Sequence, residues 1–211
     1  RVYEDTSFPG IMSMGEVPIQ TCMNYQSGVY RQCLLSYFDG NKKIIYTKNK
    51  KGCIVARAVM RLTKMTDAPQ LSPLKDQLDF TDVTMINKSS SNGENGKEVP
   101  VIFLERCYSG VQGQARLKIE ADLIRFAMKK AKDAGCGLMI SNDYPKHAVQ
   151  DAMNDTIKES STWAFITKSK AGMQYLDSFG GTYSNNSDLD TGHENSYMPT
   201  VCYVAFFPEN G

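Results

Sequence analysis

The sequence predicts an α+β protein with a central mixed, mostly antiparallel sheet and helices on its faces. Three observations carry that prediction. Short β-branched and aromatic segments separated by turn residues occupy residues 33–62, the signature of an antiparallel meander. A long apolar stretch at 99–108 is followed by a glycine-bearing turn and then a helical pattern at 116–134, so a strand feeds a helix. A final apolar run at 201–207 has the length and composition of a buried strand.

Taken in order, residues 1–20 contain Pro9, Pro18, Gly10 and Gly15 among scattered Met and Ile, and read as an irregular lead-in that packs on something. Residues 21–30 read as a short helix capped by Thr21. Residues 33–38 (CLLSYF) read as a strand, closed by the turn Asp39-Gly40-Asn41. Residues 43–47 form the next strand, residues 48–52 a polar tip, and residues 53–62 a longer strand. Residues 65–98 change character, with Pro69, Pro73 and a polar stretch at 88–96. A loop of that length is functional or mobile. It reads as an insertion that lengthens a hairpin, because cutting the chain there would leave both halves with an unpaired sheet edge. Residues 1–211 are therefore read as a single domain.

The strand at 99–108 is apolar enough for burial on both faces. Residues 109–115 form the turn. In the helix at 116–134, Leu117, Ala121, Ile124, Met128 and Ala131 recur at helical spacing, and Ile119, Leu123 and Phe126 widen the apolar face. Lys129, Lys130 and Lys132 complement the dipole at its C-terminal end, and Gly135 and Gly137 stop it. With a short strand at 138–141, this makes a βαβ unit if the two strands are parallel. Residues 145–159 are weakly helical and 163–166 strand-like. Residues 169–179 read as a helix ended by Gly180-Gly181, and 185–195 as a polar loop.

Balanced charge, with 24 Lys and Arg against 23 Asp and Glu, and 41% hydrophobic residues argue against a disordered chain. A net charge of +1 offers no global attraction to nucleic acid or an anionic membrane, and no apolar run approaches a membrane span. No signal peptide is visible, and the chain is expected in the cytoplasm. Because it begins at Arg1 it reads as a piece of a longer protein. The cysteines at 22, 33, 53, 107, 136 and 202 include no C-x-x-C pair, which argues against a zinc ribbon. Cys33, Cys53, Cys107 and Cys202 sit in apolar or strand-like runs, where free Cys behaves as a small hydrophobe and suits a reducing compartment. With only His147 and His193 in the chain, no metal cofactor is expected.

The order of elements resembles the GNAT-type N-acetyltransferase superfamily over roughly residues 33–207. Two stretches carry motif-level likeness. In 110–115 (GVQGQA), Gly113 and Ala115 match the family's phosphate turn, while Gly110 stands where the family has Gln or Arg. In 171–183, Ala171 followed by Tyr175 is similar to the family's late helix, but Phe179-Gly180-Gly181 replaces its usual ending. The resemblance implies acetyl-CoA or another acyl-CoA as cofactor and an amine as substrate. Val111, Gly113, Gln114, Ala115 and Arg116 would hold the pyrophosphate, Glu105 would assist amine deprotonation, and Tyr175 would protonate the departing thiolate. Backbone amides at a helix N-terminus suit a pyrophosphate for the same reason in any fold, and Arg116 could add a charge-assisted contact. A second likeness, to uncharacterised proteins of phages and other mobile elements, rests on Thr21-Cys22-Met23, residues 54–58 and residues 104–108. It implies no activity, only that these stretches meet in space with Arg57 and Arg106 on strands of one sheet.

Each candidate has a plainer alternative. Glu105 is either a general base or the partner of Arg57 or Arg106 in a salt bridge, since a charge within an apolar strand must be paired. Tyr175 is either a proton donor or a core tyrosine, and Tyr108 could serve in its place. Cys22, at the start of the expected helix, is either a nucleophile activated there or a structural thiol. As a nucleophile it would use His193 as base, with Asp188, Asp190 or Asn195 as orienter. Lys42, Lys43, Lys48, Lys50 and Lys51 are either a phosphate-contacting group around Tyr46 or a solvated hairpin tip, and the second reading makes a nucleic-acid partner unexpected. Three functions follow: acyl-CoA-dependent N-acyl transfer, a non-catalytic binding or interaction module on a similar scaffold, and a Cys–His hydrolase or transferase. The first requires a splay between the strands at 99–108 and 138–141. The second requires an exposed apolar patch instead.

Overall fold

The fold is that of a computed structural model, and it describes residues 1–67, 84–87, 98–141, 143–153, 163–166, 175–179, 182–183, 198–199 and 201–205. It is α+β, with a mixed sheet and helices. The strands are β1 (Val2–Asp5), β2 (Lys42–Lys48), β3 (Ile54–Asp67), β4 (Thr84–Asn87), β5 (Glu98–Leu104), β6 (Tyr108–Ser109), β7 (Gly137–Ser141), β8 (Trp163–Ile166), β9 (Thr182–Tyr183), β10 (Met198–Pro199) and β11 (Val201–Ala205). The α-helices are α1 (Phe8–Met12), α2 (Gly113–Asp133) and α3 (Lys146–Met153). The main sheet runs β1-β2-β3-β5-β7-β11-β4, with β6 and β8 also paired to β3, and β9 pairs β10 separately. All pairings are antiparallel except β5 with β7, which run parallel from Val101↔Gly137 to Leu104↔Ile140 and are joined by α2.

Alternation along β3 sorts the core into two layers. Ala56, Ala58 and Met60 face α2 and α3, in a cluster with Leu123, Ile124, Ala127, Leu138, Ile140 and Val149. Val59 faces the other way, into a cluster with Ile11, Met14, Met23, Cys33, Leu34, Tyr37, Tyr108 and Tyr175. This second layer is built mainly from residues 8–38.

That cover is where the sequence reading needs most correction. Residues 1–20 are irregular only in part: β1 pairs β2 from Val2↔Thr47 to Asp5↔Ile44, and α1 follows, capped by Ser7, while residues 16–19 are turn and bend. Residues 21–30 form turns and not a helix. The Asn24 side chain accepts from Gln26 N at 2.9 Å and from Ser27 N at 3.1 Å, satisfying locally the amides a helix would have used. Residues 33–38 belong to a 3₁₀ helix, Arg31–Phe38, and not to a strand. An apolar run without a clear period does not distinguish the two, and here Ser36 Oγ donates to Cys33 O at 2.9 Å across one tight turn.

Residues 65–98 are not one loop. β3 continues to Asp67, β4 occupies 84–87 at the end of the sheet order beside β11, and β5 begins at Glu98. The polar stretch at 88–96 lies outside the described residues. So do residues 154–159, 169–174, 185–195 and 206–207, on which further expectations fell. Of the helix expected at 169–179, the described part is a short 3₁₀ turn, Leu176–Phe179.

The strand expected at 99–108 is interrupted. Met60 pairs Leu104 and Arg57 pairs Tyr108, so the three residues Glu105, Arg106 and Cys107 stand opposite two, Ala58 and Val59. This is a bulge, the kind of feature that turns side chains out of a regular ladder. Arg106 therefore lies on the bulge and not on a strand. The helix begins at Gly113, three residues before the expected start, with Gly113 at φ +62°.

Candidate functional site

The bulge and the underside of the cover enclose a cluster of charged and phenolic side chains. Glu105 and Arg61 are both wholly buried. Arg61 Nη2 lies 2.6 Å from Glu105 Oε1, and its Nε donates to the same oxygen at 2.7 Å. The partner of Glu105 is thus Arg61, which the sequence reading did not name, in place of Arg57 or Arg106. The Tyr37 hydroxyl stands 3.4 Å from Glu105 Oε2 and 3.4 Å from Ser178 Oγ. Burial, reinforced by the Glu105 charge, holds the Tyr37 phenol well above its usual pKa. Tyr144 OH donates to Glu105 O at 2.9 Å, and Glu105 N to Val59 O at 2.9 Å. The expected general base is therefore sealed in the interior and already paired.

Tyr175 is also buried, with its ring centroid 5.8 Å from that of Tyr30 and its hydroxyl donating to Asp177 Oδ2 at 3.3 Å. Burial, with Tyr108 and Asp177 close by, raises its pKa above the usual phenol range. It shares the cover-side cluster with Tyr108, whose own phenol burial pushes up to about 12. Arg106 pairs with Asp143 at 2.9 Å, and Arg106 N donates to Ser178 O at 2.7 Å. β5 and β7 pair as far as Leu104↔Ile140. Just beyond, where the acetyltransferase reading requires a splay, the Arg106–Asp143 pair and the Tyr144 hydroxyl bridge the two segments.

The proposed phosphate turn lies apart from this cluster, since α2 packs on the opposite layer. Gln112, Gly113, Gln114 and Ala115 are exposed and Val111 half-buried. No side chain caps α2, and its first turn holds no acid. Its first amides thus carry the positive end of the helix dipole into open space. Arg116, the cation assigned to the phosphate, instead binds its own helix: its Nε lies 2.8 Å from the buried Glu120 Oε1. That hydrogen bond raises the Arg116 pKa.

Cys22 is exposed, and the helix that was to activate it is absent. His193, Asp188, Asp190 and Asn195 lie outside the described residues. Cys22, Cys33, Cys53, Cys107 and Cys136 are free thiols; Cys33 and Cys107 are buried, but Cys53, expected in an apolar run, is exposed. Burial and the Glu120 charge push the Cys107 thiol up to about 12. The lysine group also divides. Lys42 is buried and donates to Asp39 Oδ2 at 2.8 Å and to Ser36 O, while Lys43 Nζ lies 3.7 Å from Glu4 Oε2. Desolvation brings the Lys42 pKa down to about 8.

Residues 54–58 and 104–108 lie side by side, with Met23 nearby. Arg57 pairs Tyr108 and Ala56 pairs Ser109, and Met23 shares a cluster with Tyr108. Among the described residues no group of three or more His, Cys, Asp or Glu is placed to hold a metal, and no helix is long and apolar enough to cross a membrane.

The signal that was missed is an alternation. Arg57, Val59 and Arg61 recur at every second position of β3, which puts both arginines on one face, under the cover. No protein-family model, curated protein or solved structure matches the chain.

Proposed function

We propose that the chain is a non-catalytic binding module, presenting an apolar surface on the cover formed by its first 38 residues. One observation supports this reading above others. Among the described residues, eight of the nine exposed large apolar or aromatic side chains are Tyr3, Phe8, Ile19, Tyr25, Val29, Tyr30, Leu35 and Phe38. Phe8 and Phe38 touch, with ring centroids 5.7 Å apart. Leu35 lies three residues from Phe38, and in a 3₁₀ helix such positions eclipse on one face. Scattered exposed apolar residues are ordinary, whereas a concentration of them in one segment of the chain marks a contact surface. The sealed Arg61–Glu105 pair points the same way, because a base for an amine substrate has to be reachable.

A second reading, acyl-CoA-dependent N-acyl transfer, has one feature in its favour. A strand, a glycine turn, an uncapped helix and a parallel strand follow one another, and the helix N-terminus is exposed. Calorimetric titration with acetyl-CoA separates the two readings. The binding-module reading expects no heat at millimolar ligand. Saturable heat in the wild type that is lost in Gly113→Trp would establish the cofactor turn and overturn it. Independently, an apolar dye such as bis-ANS should bind the native protein. That binding should fall severalfold in a Leu35→Asp/Phe38→Asp variant with native circular dichroism; undiminished binding would count against the patch.

A further inference from the structure

Arg57 differs from every other buried ion in the cover layer. It is 2% exposed, yet no carboxylate pairs with it among the described residues. Its Nε donates to Val17 O at 2.9 Å, and its guanidinium carbon lies 4.3 Å from the centroid of the Tyr108 ring. Its Nη2 is buried without a hydrogen-bond partner. A cation–π contact and one carbonyl do not replace the hydration of a guanidinium, and a buried donor left unmade is costly. Burial accordingly pulls the Arg57 pKa below its usual value.

Arg57 lines a small cavity of about 50 Å³, shared with Asp5, Ser13, Val17, Tyr46 and Ile54 among others. That volume corresponds to roughly three to five water-sized groups, the size of one small oxyanion. The cavity sits on a row of cross-strand neighbours: Tyr3 pairs Tyr46, Tyr46 pairs Arg57, and Arg57 pairs Tyr108. At the outer end of the row the Tyr3 and Tyr46 rings stack at 5.6 Å. Lys48 Nζ lies 5.3 Å from the Tyr46 centroid and 5.8 Å from that of Tyr3, and the Arg1 guanidinium lies 5.5 Å from Tyr3. Lys48 and Arg1 are exposed, and among the described residues neither has an acidic partner. The one acid lining the cavity, Asp5, is committed to the chain beside it. Its Oδ1 accepts from Ser7 N at 2.7 Å, and a Cβ on Gly10 would fall 2.4 Å from its Oδ2, so the carboxylate lies against the α1 backbone.

We propose that this cavity binds a single phosphate or carboxylate group, with Arg57 Nη2 as the donor and Lys48, which pairs Ile54 of the lining and lies over the Tyr46 ring, as the neighbouring cation. An oxyanion supplies the acceptor and the counter-charge that Arg57 lacks. The remainder of a larger ligand would lie outward, along the stacked Tyr3 and Tyr46 rings. This site does not use the Phe8–Phe38 contact or the α2 turn, and shares only Tyr3 with the exposed apolar side chains of the first 38 residues.

The test is titration of the whole chain with inorganic phosphate and, separately, acetate. Ionic strength is held constant with chloride, and binding is followed by calorimetry and by thermal unfolding. The expected result is saturable binding of at least one anion, with a concentration-dependent rise in Tm. Phosphate alone would identify a phosphoryl group as the ligand, acetate alone a carboxylate. Arg57→Met should abolish binding. Because that variant could lose its fold, two others keep the test decisive. Ile54→Trp, which fills the cavity while leaving the arginine in the sequence, should also abolish binding. Lys48→Ala, at an exposed position, should weaken it about two- to fivefold. The proposal is overturned if neither anion raises Tm beyond the chloride control, or if a folded Ile54→Trp protein binds like the wild type.

Discussion

The two faces of the sheet are built on opposite principles from alternate residues of the same strand. One face is covered by α2 and α3 and filled by Ala, Leu, Ile and Met. The other is covered mainly by turns, 3₁₀ turns and one short helix, and it buries Arg57, Arg61, Glu105, Lys42 and Tyr37. The apolar face owes its stability to area removed from water and to close packing. On the polar face Lys42, Arg61 and Glu105 each depend on a specific partner, because an unpaired buried ion costs far more than a mismatched methyl group. The helix layer is therefore a platform. The cover layer is the one whose energetics hang on individual charges.

The largest effect should come from cutting the buried ion pair on one side only. Arg61→Met leaves Glu105 buried without its partner and should destabilise by about 3–5 kcal/mol in urea unfolding. The double variant Arg61→Met/Glu105→Leu removes both charges and should recover most of that loss. If it is no better than the single variant, the pair is structural in some way other than charge matching. On the apolar face, Leu123→Ala should cost about 2–5 kcal/mol through lost burial and a residual cavity, with no second substitution able to rescue it by charge.

A smaller loss, about 1–3 kcal/mol, is expected from Gly28→Ala in the cover. The new Cβ would lie 2.3 Å from Cys22 O and 2.6 Å from Asn24 N. An unchanged Tm would mean that this turn relaxes freely.

The faces should also respond differently to pH. Lys42 has a folded pKa brought down to about 8, below that of the unfolded chain. Between that value and the ordinary lysine pKa, the unfolded state binds the extra proton, so this group's contribution to stability rises with pH across the window. The stability of the wild type relative to Lys42→Met should therefore increase from pH 8 to pH 10. A flat difference would show that Lys42 titrates normally.

The mildest probe is alkylation. At pH 8.5 iodoacetamide should label exposed Cys22 and Cys53 within minutes in the native state. Cys107, held up to about 12 on the helix side, should react only as the protein unfolds. Equal labelling rates would show that the core around Cys107 opens readily.

Periodicity alone was sufficient for α2. The spacing of Leu117, Ala121, Ile124 and Ala131 defines a face before any partner is known, and α2 occupies the expected region with only its start displaced, to Gly113. β2, β3 and β7 were similarly legible, because alternation and short apolar runs bounded by turn residues are local properties. The cover was not legible. Residues 21–38 carry no dominant period, and their conformation follows from side chains such as Asn24 and Ser36 that compete for backbone groups.

The candidate site divides in the same way. The sequence by itself showed that Glu105 sits in an apolar run and needs a counter-ion, since composition suffices for that inference. Only the tertiary structure decided that the counter-ion is Arg61, because the choice depends on the β3–β5 register and on the bulge at Glu105–Cys107. Only the tertiary structure aligned Tyr3, Tyr46, Arg57 and Tyr108 in one row, because those residues come from four different strands. Local order is written in spacing along the chain. Which charges meet is set by cross-strand register, which no single segment contains.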